Sequence, residues 1–110
     1  MNKFGLFLGV AGLCLAVNTA SAAVDVDAAK SLMKKSGCFK CHSGDKKKDG
    51  PPYHEVAVKF RDRPEAEDTL FKHLTTKPKI KADGKEEEHI TLKTKDEAEI
   101  RNVIHWILSL

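Results

Sequence analysis

The sequence of 110 residues lacks a long apolar run. Its longest, residues 5–17, falls short of the roughly 20 apolar residues that a membrane-spanning helix needs. The chain also has no internal repeat and no segment in which apolar and polar residues alternate as they do along a strand. Aromatic residues make up only 6% of it and are not interleaved with the lysines, so nucleic acid is not expected as a partner. These absences favour a helical protein without a membrane span.

Cysteine is scarce as well, with three residues in the whole chain. Two of them, Cys38 and Cys41, lie beyond the amino-terminal segment and are separated by only two residues. Cysteines this close cannot join distant parts of a fold, so a disulfide framework is excluded. A chain this short nevertheless struggles to bury enough apolar surface on its own. We therefore expect that whatever completes its core attaches to these two cysteines.

The amino terminus has the layout of a cleavable secretory signal. Residues 1–22 carry one lysine, Lys3, then the apolar run of residues 5–17, and end in the small residues Ala-Ser-Ala. We expect cleavage after Ala22, which leaves residues 23–110 as one domain in the periplasm or an equivalent compartment. No membrane association is expected of that domain after cleavage.

The remainder of the chain is predicted to form about four helices. A first helix is expected to begin at Asp25 or Asp27, either of which could cap it, and to end at Gly37. The clearest helix is the last, with Thr94 and Asp96 available as caps. Two shorter helices are expected between them, over residues 53–60 and from Pro64 onward. Residues 75–92 are rich in Lys and Glu without a sustained period, and we interpret them as a long loop. The apolar residues at helical spacing in the last helix are Ile100, Val103, Ile104, Ile107 and Leu108.

The most specific element is the pentapeptide Cys38-Phe39-Lys40-Cys41-His42. Two thiols separated by two residues can add to the two vinyl groups of one haem, and the adjacent histidine can then bind the iron. A zinc site would need about four ligands, and no second cysteine pair supplies them. A thiol redox pair is expected within a βαβ pattern, which is absent. The spacing therefore predicts one covalently bound haem c.

The regions that surround this motif resemble the small bacterial class I cytochromes c, which bind one haem. The similarity is carried by residues 32–42, by Gly-Pro-Pro-Tyr at 50–53, by residues 56–60 and by the ending at 106–110. The resemblance implies the all-α cytochrome c fold, in which the first and last helices cross beside the haem. It also implies that the carbonyl of Pro51 accepts a hydrogen bond from His42, which would fix the ring and raise its basicity.

The second axial ligand departs from the family pattern. The family usually places a methionine in the loop before the last helix, but beyond residue 22 this chain has only Met33, which we expect to be a core residue. His89 lies late in the long loop and is expected to bind the iron instead, although its three glutamate neighbours also suit a solvated loop residue. Bis-histidine ligation lowers the potential relative to a histidine and methionine pair. The remaining histidines, expected to be surface or structural residues, are His54, His73 and His105.

Two functions follow from this resemblance. The first is a one-electron carrier, which is not an enzyme and has no catalytic residues. The second is a haem protein that binds or senses NO or CO, for which His89 would be displaceable or absent from the iron. Neither the electron donor and acceptor nor the pathway is indicated by the sequence.

The charge pattern bears on the partners. The net charge is only +3, but several lysines cluster around the attachment motif. Such asymmetry would steer an acidic redox protein toward the haem, although a lysine-rich stretch is also an ordinary solvated surface. A homodimer, or a heterodimer with another small cytochrome, is the other assembly that we consider. The clustered lysines are Lys34, Lys35, Lys40 and Lys46, Lys47 and Lys48.

The export and attachment motifs together predict the composition of the processed protein. Produced in a host that matures c-type cytochromes, it should begin at Ala23 and carry the added mass of one porphyrin. Intact-mass spectrometry of the exported product measures both. A product without the porphyrin mass would contradict the attachment, and one that retains residues 1–22 would contradict the signal.

Overall fold

The computed structural model describes residues 23–110, together with Gly9, Gly12 and Cys14. The predicted signal of residues 1–22 otherwise lies outside the described residues and stays a prediction. Residues 23–110 form four α-helices and one two-stranded antiparallel hairpin. The predicted number of helices is confirmed. In chain order the elements are α1 (Val26–Ser36), a single 3-10 turn (Cys38–Lys40), α2 (Tyr53–Phe60), α3 (Ala66–Thr75), β1 (Lys79–Ala82), β2 (Lys85–Glu88) and α4 (Glu97–Leu108).

Helix α1 begins and ends where its sequence signals predicted. The Asp25 side chain accepts a hydrogen bond from the backbone N–H of Ala28, as an N-cap does. Gly37 closes the helix with a φ of 82°, a left-handed conformation that glycine adopts without steric cost. This sharp stop turns the chain directly into the 3-10 turn that contains Cys38. Helix α1 therefore sets the position of the attachment motif.

Helix α4 is the centre of the packing, because it contacts each of the other three helices. Asp96 caps its start by accepting hydrogen bonds from Ala98 and Glu99. Asn102 on this helix exchanges two hydrogen bonds with the backbone of Asp25, at 2.9 and 2.8 Å, and so links α4 to the start of α1. The first and last helices therefore pack against each other, as predicted. The residues of the two helices that share the core are Ala29, Met33, Ile100, Val103, Ile104, Trp106 and Ile107.

Helix α3 is held against α4 on one face of this core. Leu70 and Leu74 are buried within the core cluster. On the solvent side, Arg101 of α4 donates to Glu67 of α3 at 2.7 Å. The Arg101 guanidinium lowers the pKa of the Glu67 carboxyl below its ordinary value. Helix α3 thus provides a fixed wall beside the attachment motif.

The hairpin corrects the expectation of a loop without strands over residues 75–92. β1 and β2 pair in register from Lys79 opposite Glu88 to Ala82 opposite Lys85. The turn between them is Asp83-Gly84, and both residues have positive φ, at 51° and 75°. Asp-Gly is a favoured pair for this tight turn, whose twist matches that of the strands. Lysines of β1 opposite glutamates of β2 add favourable cross-strand contacts, so the charged composition itself supports the pairing.

None of the helices within the described residues has both the length and the apolar character that membrane crossing requires.

The packing predicts which side chains stabilise the fold. Ile104 is completely buried in the core, whereas Val58 on α2 is 62% exposed. Ile104→Ala should lower the free energy of unfolding by about 2–5 kcal/mol because it removes buried apolar atoms and leaves a cavity. Val58→Ala, the matched control, should stay within about 0.5 kcal/mol of the parent. Denaturant titration of the haem-loaded protein measures both, and equal losses would contradict this packing.

Candidate functional site

A large cleft opens between the attachment motif, helices α2 and α3, and the hairpin. Its volume is about 930 Å³, near the top of the range of about 300–1,000 Å³ that is usual for ligand and cofactor sites. Three of the five histidines line it, namely His42, His73 and His89, and both Cys38 and Cys41 line it with them. Much of the rest of the wall is apolar. The apolar lining residues include Val56, Phe60, Leu70, Leu74, Ile80, Ala82, Ile90 and Ile107.

The two cysteines lie in and directly after the 3-10 turn that follows the C-terminal end of α1. The backbone N–H groups of Cys41 and His42 both donate to the carbonyl of Cys38, at 3.3 and 3.0 Å. The two cysteines are not joined to each other by a disulfide. Burial raises the pKa of the Cys38 thiol above its ordinary value, which is opposite to the lowered pKa of a thiol redox pair. Both sulfurs thus lie on the cleft wall, two residues apart, without the environment of a redox pair.

His42 is held from two sides. Its Nδ1 donates to the carbonyl of Pro51 at 2.7 Å, so Nε2 is the ring nitrogen that is left to bind a metal. The ring of Tyr53 stacks on it with centroids 4.8 Å apart and an interplanar angle of 22°. Tyr53 is itself buried. Burial is the main cause of the raised pKa of its hydroxyl, and the nearby Cys38 adds to it. The hydrogen bond and the stacked ring together restrict the orientation of the His42 imidazole.

Gly50 completes this side of the cleft by close approach. Its N–H donates to the Cys41 carbonyl at 2.8 Å. A Cβ at this position would lie 2.6 Å from Cε1 and 2.8 Å from Nδ1 of His42, which is closer than atoms can approach. The residue before Pro51 therefore has to be glycine if the His42 ring is to keep its position.

His89 lies across the cleft from His42, directly after β2. Its Nδ1 donates to the carbonyl of Ile90 at 2.7 Å, so that it too has Nε2 available. Burial lowers the pKa of His89 below its ordinary value and favours the neutral ring that can bind a metal. The centroids of the His42 and His89 rings are 6.1 Å apart.

This separation fits two imidazoles on one iron. A histidine nitrogen lies about 2 Å from a metal that it binds and about 1 Å from its own ring centre, so two such rings on opposite sides have centroids about 6 Å apart. The angle of 54° between the two ring planes is compatible with this, because two separate ligands of one iron need not have parallel rings. The spacing of the rings, the two thiols and the apolar walls thus fit a covalently attached haem.

His73 is expected to be a surface or partly buried structural histidine, and on α3 it is half-buried. The structure adds that it faces the cleft, with its ring 4.2 Å from that of His89. The signal was present in the helical period, because His73 follows the buried Leu70 by three positions and so shares its face. Burial lowers the pKa of His73, and the charges of His89 and His42 add to the effect.

The other candidates lie outside the cleft. His54 is exposed on α2, and His105 is exposed on α4, where its Nε2 lies 3.2 Å from Glu67. Met33 is completely buried in the core, as predicted, and does not line the cleft. The six clustered lysines around the attachment motif are all exposed, and Lys40 also lines the cleft.

A model of the cytochrome c family matches residues 26–110. The chain belongs to the cytochrome c family. Among solved structures it is similar to the class 1 cytochrome MtoD from Sideroxydans lithotrophicus ES-1, with 52% identity over 79% of this chain and 97% of that one, and a TM-score of 0.75. It also shares its fold with wild-type cytochrome c552 from Nitrosomonas europaea, at 24% identity over 73% and 96% of the two chains, with a TM-score of 0.56. No curated protein matches it.

Membership of the cytochrome c family confirms three of the expectations. The fold is that of a class I cytochrome c, with four helices in the described residues. One haem c is attached covalently through Cys38 and Cys41. The chain is a monohaem electron carrier. The two cysteines on the wall of the cleft agree with this attachment.

The close approach at Gly50 predicts the effect of a single methyl group. Gly50→Ala should disturb the His42 ring, which cannot withdraw without losing its bond to Pro51, and the overpacking should cost about 1–3 kcal/mol of stability. The optical spectrum of the bound haem should change with it. Gly44→Ala is the matched control, since nothing lies within 4 Å of a Cβ there. Two variants with the parent's spectrum and stability would contradict the assigned geometry.

Proposed function

We propose that this cytochrome is an exported one-electron carrier whose iron is bound by His42 and His89, with a potential lower than that of a histidine and methionine site. The observation that carries the proposal is the 6.1 Å separation of the two imidazoles across the cleft. Each ring donates its Nδ1 hydrogen to a backbone carbonyl at 2.7 Å. Both rings are thereby fixed as the tautomer that has Nε2 free for the iron.

The protein residues in this proposal bind and orient rather than react. The haem supplies a single-electron change at its iron. Cys38 and Cys41 hold it in the cleft, while Pro51 and Tyr53 keep the His42 ring in one orientation. The apolar walls from α2, α3 and α4 exclude water from it. No side chain has to make or break a bond with a substrate.

The two axial ligands determine whether the reduction potential of the haem is higher or lower. A methionine ligand raises the potential of a haem, and Met33 is buried in the core away from the cleft. The imidazole of His89 is a stronger donor to ferric iron, so it stabilises the oxidised state. A second imidazole therefore supports a carrier at the lower end of the family's range.

The surface charge supports an acidic protein as redox partner. The lysines of the attachment region are all exposed, and they supply the positive excess. The cleft wall itself is mixed, with Lys40, Lys59 and Lys81 beside Asp49, Glu55, Glu87 and Glu88. Positive charge on one side of a protein with little net charge speeds encounter with a negatively charged partner. This acceleration weakens as the ionic strength rises. Export to the periplasm follows from the predicted signal of residues 1–22.

The test of the ligand set compares His89→Ala with Met33→Leu. Removal of His89 should change the low-temperature EPR signal of the ferric protein and its potential, because axial ligands set haem potentials over roughly 0.8 V. Met33→Leu conserves core volume and should leave both unchanged. Redox titration with EPR measures the two variants beside the parent.

An unchanged EPR signal in His89→Ala would remove His89 from the iron and overturn the proposed ligation. A parent potential typical of histidine and methionine ligation would do the same. Rapid and complete CO binding by the ferrous parent would instead favour the gas-binding function, because it would require a distal position that is open or easily vacated.

A further inference from the structure

A second imidazole stands beside the proposed distal ligand. The His73 ring lies 4.2 Å from the His89 ring, at an angle of 51°, and both rings face the cleft. We propose that His73 is a reserve axial ligand, which binds the iron when His89 leaves it. This inference rests on the proposed ligation by His42 and His89, and it adds an alternative state of the same site.

The two imidazoles belong to segments that are packed to different degrees against the rest of the protein. His73 belongs to α3, whose Leu70 and Leu74 are buried in the core and whose Glu67 is bonded to Arg101 of α4 at 2.7 Å. The backbone of His73 is therefore held by the helical body. Its side chain can change rotamer without movement of the helix.

His89 instead depends on the hairpin. All four residues of β2 are exposed, Ala82 is the one buried residue of β1, and the ion pair of Lys79 with Glu86 at 3.6 Å lies within the hairpin itself. Over residues 79–88 the structure shows no side-chain hydrogen bond or ion pair to a helix. The segment is anchored behind His89 where Leu92 donates to the carbonyl of Leu74 at 3.1 Å. Segments with few buried contacts open at lower free energy than the core does.

The direct environment of the two rings points the same way. His89 has a fixed partner for Nδ1 in the carbonyl of Ile90. For the His73 ring no hydrogen bond is found among the described residues, in contrast to His105, which has a carboxylate of Glu67 beside it. The His73 ring is therefore placed beside the distal position without a bond that would have to break before it moves.

The exchange is chemically simple. The bond between iron and Nε2 of His89 breaks, and a bond between iron and a ring nitrogen of His73 forms. The electron count of the iron does not change, and no co-reactant is needed. Opening of the hairpin would then leave the iron six-coordinate, so His73 would keep small ligands such as CO from the vacated position.

Three variants test the proposal, namely His89→Ala, His73→Ala and the double variant, each made as the haem-loaded protein. His89→Ala should keep a low-spin, six-coordinate ferric spectrum with altered EPR g values, because His73 replaces the lost ring. His73→Ala should remain low-spin with the parent's g values. The double variant should become high-spin, and its ferrous form should bind CO at least tenfold faster than His89→Ala. His54→Ala, a change on the exposed face of α2, is the control for the loss of a histidine elsewhere.

The outcomes separate the inference from the proposed ligation. If His89→Ala and the double variant share one spectrum, of either spin state, His73 does not bind the iron and the inference is wrong. His89 is then still the resting ligand if that spectrum differs from the parent's, and the proposed ligation fails as well if it does not. A parent-like His89→Ala beside a high-spin His73→Ala would make His73 the resting ligand and overturn both. If His89→Ala does not accumulate, His89→Gln is used in its place. Recovery of the low-spin spectrum on addition of free imidazole shows that the double variant is folded.

Discussion

The covalent attachment of the cofactor is the constraint on which the rest of the structure depends. A chain of this size has too little apolar surface for a complete core, and its helices surround a cleft of about 930 Å³. The apolar walls of that cleft come from elements far apart in the sequence, so the group that fills it joins them into one core. Cys38 and Cys41 fix this group at the end of α1, where Gly37 stops the helix.

The parts of the fold that the sequence predicted are those controlled by local chemistry. Asp25 and Gly37 bound α1, and Asp96 caps α4, because each residue satisfies helix-end groups within its own turn. The apolar period of α4 likewise predicted its buried face. The attachment motif was equally predictable from the sequence, since the spacing of its two thiols is set by the cofactor rather than by the fold.

The parts that escaped prediction depend on distant contacts or on an unusual composition. Asp83-Gly84 is a strong hairpin signal, but β2 consists of a lysine and three glutamates, so the apolar alternation that normally accompanies such a turn is absent. Opposite charges across the strands take its place. His73 shared the buried face of α3 in the helical period, yet its approach to His89 depends on where the hairpin folds back, which no local pattern records.

The two sides of the cleft are built to different degrees of rigidity, and under the proposed ligation this difference gives the distal side control over the iron. His42 is fixed by the adjacent Cys41, by the carbonyl of Pro51, by the stacked ring of Tyr53 and by the close approach of Gly50. His89 is fixed by one backbone bond of its ring and by the chain on either side of it. Because the tethered side cannot yield, any change in ligation has to come from the hairpin. A histidine on the neighbouring helix, already within 4.2 Å, is then the group best placed to respond to it.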